Sequence, residues 1–315
     1  MKIIKYILIL FLLYCSIFAQ SEFIIYSEDT SKNIELENSV NVKQVIELQD
    51  EIQKVDLMSD DINYWTLAGV GAISTGIWYG VHQYYANAWW QEQDNKFRVV
   101  NDWEYALSID KLGHFYGANL IGHLFSAGFE AANLSLEAST IYGALASLAF
   151  QLYVEIQDGF GPQWGFSPGD ALGDILGSVY LVGQYYIPYL KNFQPRFSYY
   201  PSDEFLNNEK PDMNLVNDYQ GQKLWMGLRM KEILPEAISE YWPSFLMLSV
   251  GYGVKDLDSS GGGIREWYIG LDLDAEAIPL YGKFWQFVKN SLNYIHFPMP
   301  GIRISPDFTF LVFCF

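Results

Sequence analysis

The sequence predicts a mainly α protein: a bundle of about four glycine-rich apolar helices with a smaller C-terminal antiparallel β-containing region. Three observations predict it. Four stretches, 62–91, 112–129, 138–154 and 175–190, contain no Asp, Glu, Lys or Arg. Glycines recur at helical spacing: Gly113 and Gly117 are four apart, and Gly169, Gly173 and Gly177 form a ridge that lets backbones approach closely. After about residue 244 the hydrophobic period changes from helical to alternating.

The chain opens with a positive segment (Lys2, Lys5), an apolar run from Ile7 to Phe18 and a small residue, Ala19, at a cut site. This predicts a signal peptide over 1–19, too short for a membrane anchor. Cys15 follows Tyr14, whose bulk does not suit a lipidation site. Residues 20–60 are acidic and lack an apolar period, as expected of an extended leader.

The helical domain is expected over 61–195. Its first run ends in the aromatic belt "YYANAWW", and residues 92–109 form a polar connection. The next three runs fall a little short of the ~20 residues a spanning helix needs. They suit tilted or broken spans, or the buried helices of a bundle. Pro188 and Pro195 close the domain. A polar connection over 196–243 follows, in which "DYQGQKLWMGLRMKEILP" suits a short helix or strand.

The region 244–315 begins with a hairpin: "FLMLSVGYGV" and "REWYIGLDLDA" flank the glycine loop "KDLDSSGGGI". In its second strand Trp267, Ile269, Leu271 and Leu273 share one face; Glu266, Tyr268, Asp272 and Asp274 share the other. "YGKFWQFVKNSLNYI" has helical spacing, and "FTFLVFCF" alternates up to Phe315. Terminal Phe315 with Phe313 resembles the sorting signal of outer-membrane barrels. Three or four strands are too few for a barrel, which needs at least about eight.

The formal charge is −18, and near −20 once Lys2 and Lys5 are removed with the leader. Such a surface excludes nucleic acid, whose binding exchanges counterions for basic side chains, and disfavours anionic lipid heads. Half the residues are hydrophobic and 17% aromatic. Tyr and Trp flanking long uncharged runs favour membrane association over a soluble protein with an aromatic core. In the mature chain only Cys314 remains, so no intrachain disulfide forms. Oligomeric state is not encoded in any feature of the pattern.

The chemistry concentrates in "DKLGHFYGANLIGH" and "VEIQDGFGPQWGFSPGDALGD". On a helix, Asp110 and His114 share a face, with Lys111 three residues from His114. Glu155 and Asp158 share a face, as do Asp170 and Asp174. Ser167 is an N-cap, with Pro168 at the first helical position. Charges in apolar surroundings pair or serve a function. One reading is a structural network: Lys111 with one or two carboxylates, His114 with a third. The other is a metal site or acid–base centre, with catalytic candidates His114, Glu155, Asp158 and Asp170, and Asp110, Lys111, Ser167 and Asp174 completing the cluster. There Lys111 would hold an oxyanion. One His with several carboxylates suits Mn, Mg or Ca better than zinc, although no tight ligand motif is present and the cofactor is unassigned. Ser167 lacks the context of a serine nucleophile.

The two motifs, "DKLGHF" and "EIQDGFGPQWGFSPGDALGDILGS", resemble the YfiM-type family of predicted periplasmic lipoproteins of unknown function, and more distantly the VanZ-like group. The resemblance spans about residues 100–190 and falls on Asp110, Lys111, His114, Phe115, Glu155, Asp158, Gly159, Gly165, Ser167, Gly169, Asp170 and Gly177. Asp174 departs from the family pattern, which has Asn there. The resemblance implies an envelope location and supplies no reaction.

These readings lead to an exported protein of the periplasm or outer membrane, with membrane lipid or another envelope protein as partner. Its expected role is structural or scaffolding, the polar cluster tying helices together. The alternative is an envelope hydrolase or metal-dependent enzyme acting on lipid or cell-wall precursors.

Overall fold

The structure, a computed structural model, describes residues 61–88, 90–91, 96–161, 164–207, 213–258 and 262–315. The expected signal peptide and acidic leader lie outside the described residues. Four long helices form the first part: α1 (Tyr64–Ala88), α2 (Ile109–Ala131), α3 (Leu136–Gly159) and α4 (Pro168–Tyr186). Short helices α5 (Asp203–Leu206), α6 (Met230–Ile233) and α7 (Glu236–Ser239) follow, then α8 (Lys283–Leu292). The described residues thus hold eight α-helices rather than about four. The additional ones are a single turn each, apart from α8, and a single turn leaves little periodic signature. Among the described residues no helix is long and apolar enough to cross a membrane.

Capping sets the starts of two long helices. The side chain of Ser135 accepts from Ala138 N–H (3.2 Å), and that of Ser167 from Asp170 N–H (3.1 Å). Both satisfy a backbone donor that the helix leaves orphaned. Pro168 then fits the first position, where no N–H is needed.

Helix α2 is central and packs on both α3 and α4. The α4 glycine ridge lies against it: a Cβ at Gly173 would sit 2.7 Å from Lys111 O, and one at Gly177 2.1 Å from Phe115 O. On α3, a Cβ at Gly143 would meet Ser126 Oγ at 2.1 Å. Gly113 and Gly117 play no such part: a Cβ at Gly113 would meet nothing within 4 Å, and one at Gly117 would make only ordinary contact with Gln151 Nε2 at 3.4 Å. Helix α1 joins through Val70, which packs with Ala127 of α2 and Phe287 of α8.

The C-terminal part is one six-stranded antiparallel sheet in chain order: β1 (Phe193–Tyr199), β2 (Gln222–Leu228), β3 (Leu246–Lys255), β4 (Ile264–Leu273), β5 (Met299–Ser305) and β6 (Thr309–Cys314). The sheet has two or three more strands than expected. Pro195, Gly227 and Gly301 interrupt the alternation in β1, β2 and β5 and obscure their strand pattern. The expected hairpin is β3–β4, with Met247 opposite Asp272 and Gly251 opposite Tyr268.

The buried face of β4 is its polar one. Glu266, Tyr268, Asp272 and Asp274 are buried, while Trp267 is 43% exposed. A soluble sheet normally does the reverse. The burial holds because the charges are paired. Arg196 Nη1 is 2.9 Å from Asp272 Oδ1, with neither side chain exposed. Arg196 also donates to the carbonyls of Leu273 and Ile295 and to Asn293 Oδ1. Asp272 Oδ2 accepts from Ser249 Oγ and stands 2.6 Å from His296 Nδ1. The His296 ring stacks on Trp225, centroids 3.7 Å apart.

The free edge of β1 is covered. Phe197 N–H donates to Tyr294 O, and His296 N–H donates to Phe197 O, both at 2.9 Å. The apolar face divides. On β2 and β3, Leu224, Tyr252 and Val254 pack on Ala106, Leu107 and Ile109 and join sheet to bundle. On β4–β6, Trp267, Ile304, Phe310 and Val312 stay exposed.

Candidate functional site

The three polar patches of the sequence converge where α2, α3 and α4 meet the sheet. Lys111 is buried, and its ammonium reaches Asp102 Oδ2 at 2.8 Å, Asp170 Oδ1 at 2.9 Å and Asp110 Oδ2 at 3.1 Å. Ser167 caps α4, donates from Oγ to Asp102 Oδ1 (2.6 Å), and donates its N–H to Glu155 Oε2 (3.2 Å). From the sheet side, Tyr219 OH donates to Asp110 Oδ1 at 2.8 Å.

His114 stands at the middle. Its Nδ1 is 3.0 Å from Asp174 Oδ1, which also accepts from Gln151 Nε2 at 3.0 Å. Its Nε2 faces Glu155 Oε1 at 3.7 Å, Asp110 Oδ1 at 3.9 Å and Asp170 Oδ1 at 4.0 Å. All three exceed hydrogen-bond reach. His114 retains 21% exposure, so the cluster opens to the surface beside it.

Seven of the eight residues singled out by sequence therefore meet. The exception is Asp158, whose Oδ1 accepts from Trp90 Nε1 at 2.6 Å and anchors that indole. The oxyanion role of Lys111 does not fit the geometry: three carboxylates already hold its ammonium. Sequence reading missed Asp102, Gln151 and Tyr219. Asp102 reaches Lys111 through Ala106, Leu107 and Ser108, three successive residues at positive φ (45°, 55° and 71°). Such a run costs about 1–2 kcal/mol per residue outside glycine. Tyr252 OH, bonded to Leu107 O at 2.6 Å, helps fix it. Its Ala-Leu-Ser sequence carries no turn signal.

Proton positions follow from burial and neighbours. Burial pushes the Glu155 carboxyl up to about 9; His114 opposes this, and Asp170 and the other acids add to it. Burial alone would lower His114, but the Asp174 bond and the charges of Asp110, Asp174 and Asp170 hold it well above the usual value. Burial, with the charge of Asp110, raises Asp170 to about 6 against the pull of His114 and Lys111. At neutral pH Glu155 thus carries a proton beside a cationic His114. Poised pairs of this kind are what proton-transfer chemistry uses.

Fold and cluster together define the class: an acidic, histidine-centred site in a helical bundle backed by a sheet with a polar interior. Residues 100–184 match the family model described as predicted periplasmic lipoprotein (DUF2279), which supports an exported, envelope location. The matched segment runs from just before Asp102 to Gln184 and contains every member of the cluster except Tyr219. No curated protein and no solved structure matches.

Proposed function

We propose that the chain is a membrane-associated envelope protein whose polar cluster is a hydrolytic acid–base centre acting on lipid or cell-wall precursors. The observation that carries this reading is His114, oriented through Nδ1 by Asp174 while Nε2 faces a partly open set of carboxyls. Glu155, protonated, supplies the proton-donor role that hydrolysis needs, and His114 supplies the base role in the form that has lost its Nε2 proton. The membrane side rests on exposed apolar residues. Leu172, Ile175, Leu176 and Val179 form an outward stripe on α4, on the helix face opposite the buried Asp170 and Asp174. A lipid surface is what such a stripe would contact.

The test uses purified mature protein with phospholipid vesicles and with lipid-linked wall precursors, following product release. Turnover abolished in His114→Gln and Glu155→Gln, with unfolding temperatures kept, is the expected result. Turnover unaffected by either variant overturns the reading.

A second reading, a structural clamp, is favoured by one observation. The cluster draws side chains from the segment at Asp102, from α2, α3 and α4, and from Tyr219 next to β2, so it pins the bundle to the sheet. In that reading His114→Gln lowers stability and alters nothing else.

A further inference from the structure

We infer that the cleft at the C-terminal end of α4 is a binding site for the headgroup of a zwitterionic phospholipid carrying a primary amine. The inference rests on the membrane half of the reading above and deepens it by naming the lipid; it is independent of any hydrolysis.

The cleft has a volume of about 370 Å³, within the roughly 300–1,000 Å³ of sites that hold small ligands. It forms where the chain leaving α4, the connection from β2 to α6 and the turn after β4 come together. Its charged walls are Lys191, Arg229, Lys231, Glu232, Asp274 and Glu276. Three cations in one cleft are a concentration in a chain with 19 Lys and Arg against 37 Asp and Glu.

The pairing of these groups decides what the cleft can take. Arg229 is a fixed wall: its Nε stands 2.8 Å from Asp274 Oδ2, and its Nη1 donates to Lys191 O at 3.2 Å. Glu276 Oε2 accepts from Gln286 Nε2 at 2.8 Å and lies 3.9 Å from the Lys289 ammonium. The Lys231 ammonium meets neutral groups, the carbonyls of Ser239 and Trp242, both at 3.3 Å. Among the described residues Lys191 and Glu232 have no ion-pair partner, and both are exposed. Two cations and one carboxylate thus line the cleft with charges that no protein group answers. A phosphodiester on the two lysines and an ammonium on Glu232 complement that set. A wholly anionic ligand would be repelled by Glu232. A primary amine can also donate hydrogen bonds to that carboxylate, which a quaternary one cannot.

The rim is apolar, which separates a lipid from a free phosphate. Tyr189 sits between the lining residues Pro188 and Lys191, Phe245 between Ser244 and Leu246, and Ile187 directly precedes Pro188. All three are exposed, and Tyr241 and Tyr281 on the adjoining loops are each 83% exposed. Tyrosine, with an apolar ring and a polar tip, suits the boundary between headgroups and acyl chains. The outward stripe of α4 continues on the same helix face to the exposed Tyr186, so that apolar row ends at the cleft. Helix α4 is 19 residues long, about 28 Å, with the acid–base cluster at its start and the cleft at its end. A lipid bound here anchors and orients the protein rather than meeting His114.

The probes are dihexanoylphosphatidylethanolamine below its critical micelle concentration, the matching phosphatidylcholine and inorganic phosphate. Each is titrated into full-length mature protein by calorimetry, and flotation with phosphatidylethanolamine-containing vesicles is followed in parallel. Saturable binding of the ethanolamine lipid is expected, with choline lipid and phosphate at least tenfold weaker. Lys191→Gln with Lys231→Gln should weaken it at least tenfold, and Glu232→Gln should remove the preference for ethanolamine over choline. No saturable binding of the soluble lipid, or equal binding of phosphate or of the choline lipid, overturns the proposal; these wild-type titrations decide even if a variant does not fold. Unchanged affinity in the folded double-lysine variant overturns it too. Flotation without binding of soluble lipid removes the cleft and leaves membrane association standing. Binding of soluble lipid without flotation does the reverse.

Discussion

Asp174 Oδ1 lies 3.0 Å from His114 Nδ1 across the α2–α4 contact, and Asp174 is fully buried. The carboxylate opposes what burial alone would do to the ring and helps to keep it protonated. Asp174→Asn is expected to lower the His114 pKa from its raised position. Proton NMR titration of the ring measures this directly; a midpoint unchanged in the variant would contradict the pairing.

Arg196 and Asp272 form an ion pair with no exposure on either side. Removing one partner of such a pair leaves an uncompensated buried charge, at a cost of about 3–5 kcal/mol. Arg196→Met should therefore destabilise the sheet by about that amount in urea unfolding. A loss below about 1 kcal/mol would mean that Asp272 finds another cation or takes up a proton.

Helix α4 can approach α2 only because position 177 has no side chain. Phe115 O lies 2.1 Å from the point a methyl group there would occupy, so Gly177→Ala must push the helices apart. Overpacking in a tight core costs about 1–3 kcal/mol, and the contact here is with backbone, which gives least. Gly113→Ala, with nothing within 4 Å, serves as control and should be neutral or slightly stabilising. Equal unfolding temperatures for the two variants would refute the close-packing account.

His123 is stacked on Tyr294, centroids 5.1 Å apart, and burial lowers its pKa to about 4. Below the unfolded value of 6.5 the unfolded chain takes up a proton that the folded chain refuses. Stability from this group is therefore complete above about pH 6.5 and falls as pH drops toward about 4, by up to about 3 kcal/mol. His123→Gln removes that slope. Comparing wild type and variant at pH 7 and pH 4.5 isolates it, and parallel losses in both would refute the assignment.

Membrane association predicts a loss on charging the exposed apolar rows. Phe310 is 66% and Val312 61% exposed on β6, and Val179 of α4 is 59% exposed. Phe310→Asp with Val179→Asp should abolish flotation of the protein with zwitterionic vesicles while leaving the fold intact. Unchanged flotation would rule out both rows as lipid contacts.

Parts of this architecture can be read from the residue order. Long uncharged runs give α2, α3 and α4, because burial from several sides removes the need for polar residues. Ser167–Pro168 marks the start of α4 through local cap chemistry. The β3–β4 hairpin follows from alternation around a glycine loop. Which face of β4 is buried does not follow, because Asp272 is made tolerable by Arg196 and His296, 76 residues before it and 24 after it. The candidate site divides in the same way. Asp110, His114, Asp170 and Asp174 share helix faces at fixed spacing, whereas Asp102 and Tyr219 arrive through a left-handed turn and a distant loop.

The sheet grows strictly in chain order, yet the exposed edge of its first strand is covered by Tyr294–His296, about a hundred residues later. Asn293 and the carbonyl of Ile295 complete the Arg196 guanidinium at the same step. Each hairpin can pair as its residues become available, but β1 keeps an unpaired edge and Arg196 lacks two of its hydrogen-bond acceptors until residues 293–296 are in place. The last stretch before β5 is therefore the closing piece of the first strand: a chain ending short of residue 293 has a sheet that is open at β1 and a guanidinium without its full set of acceptors.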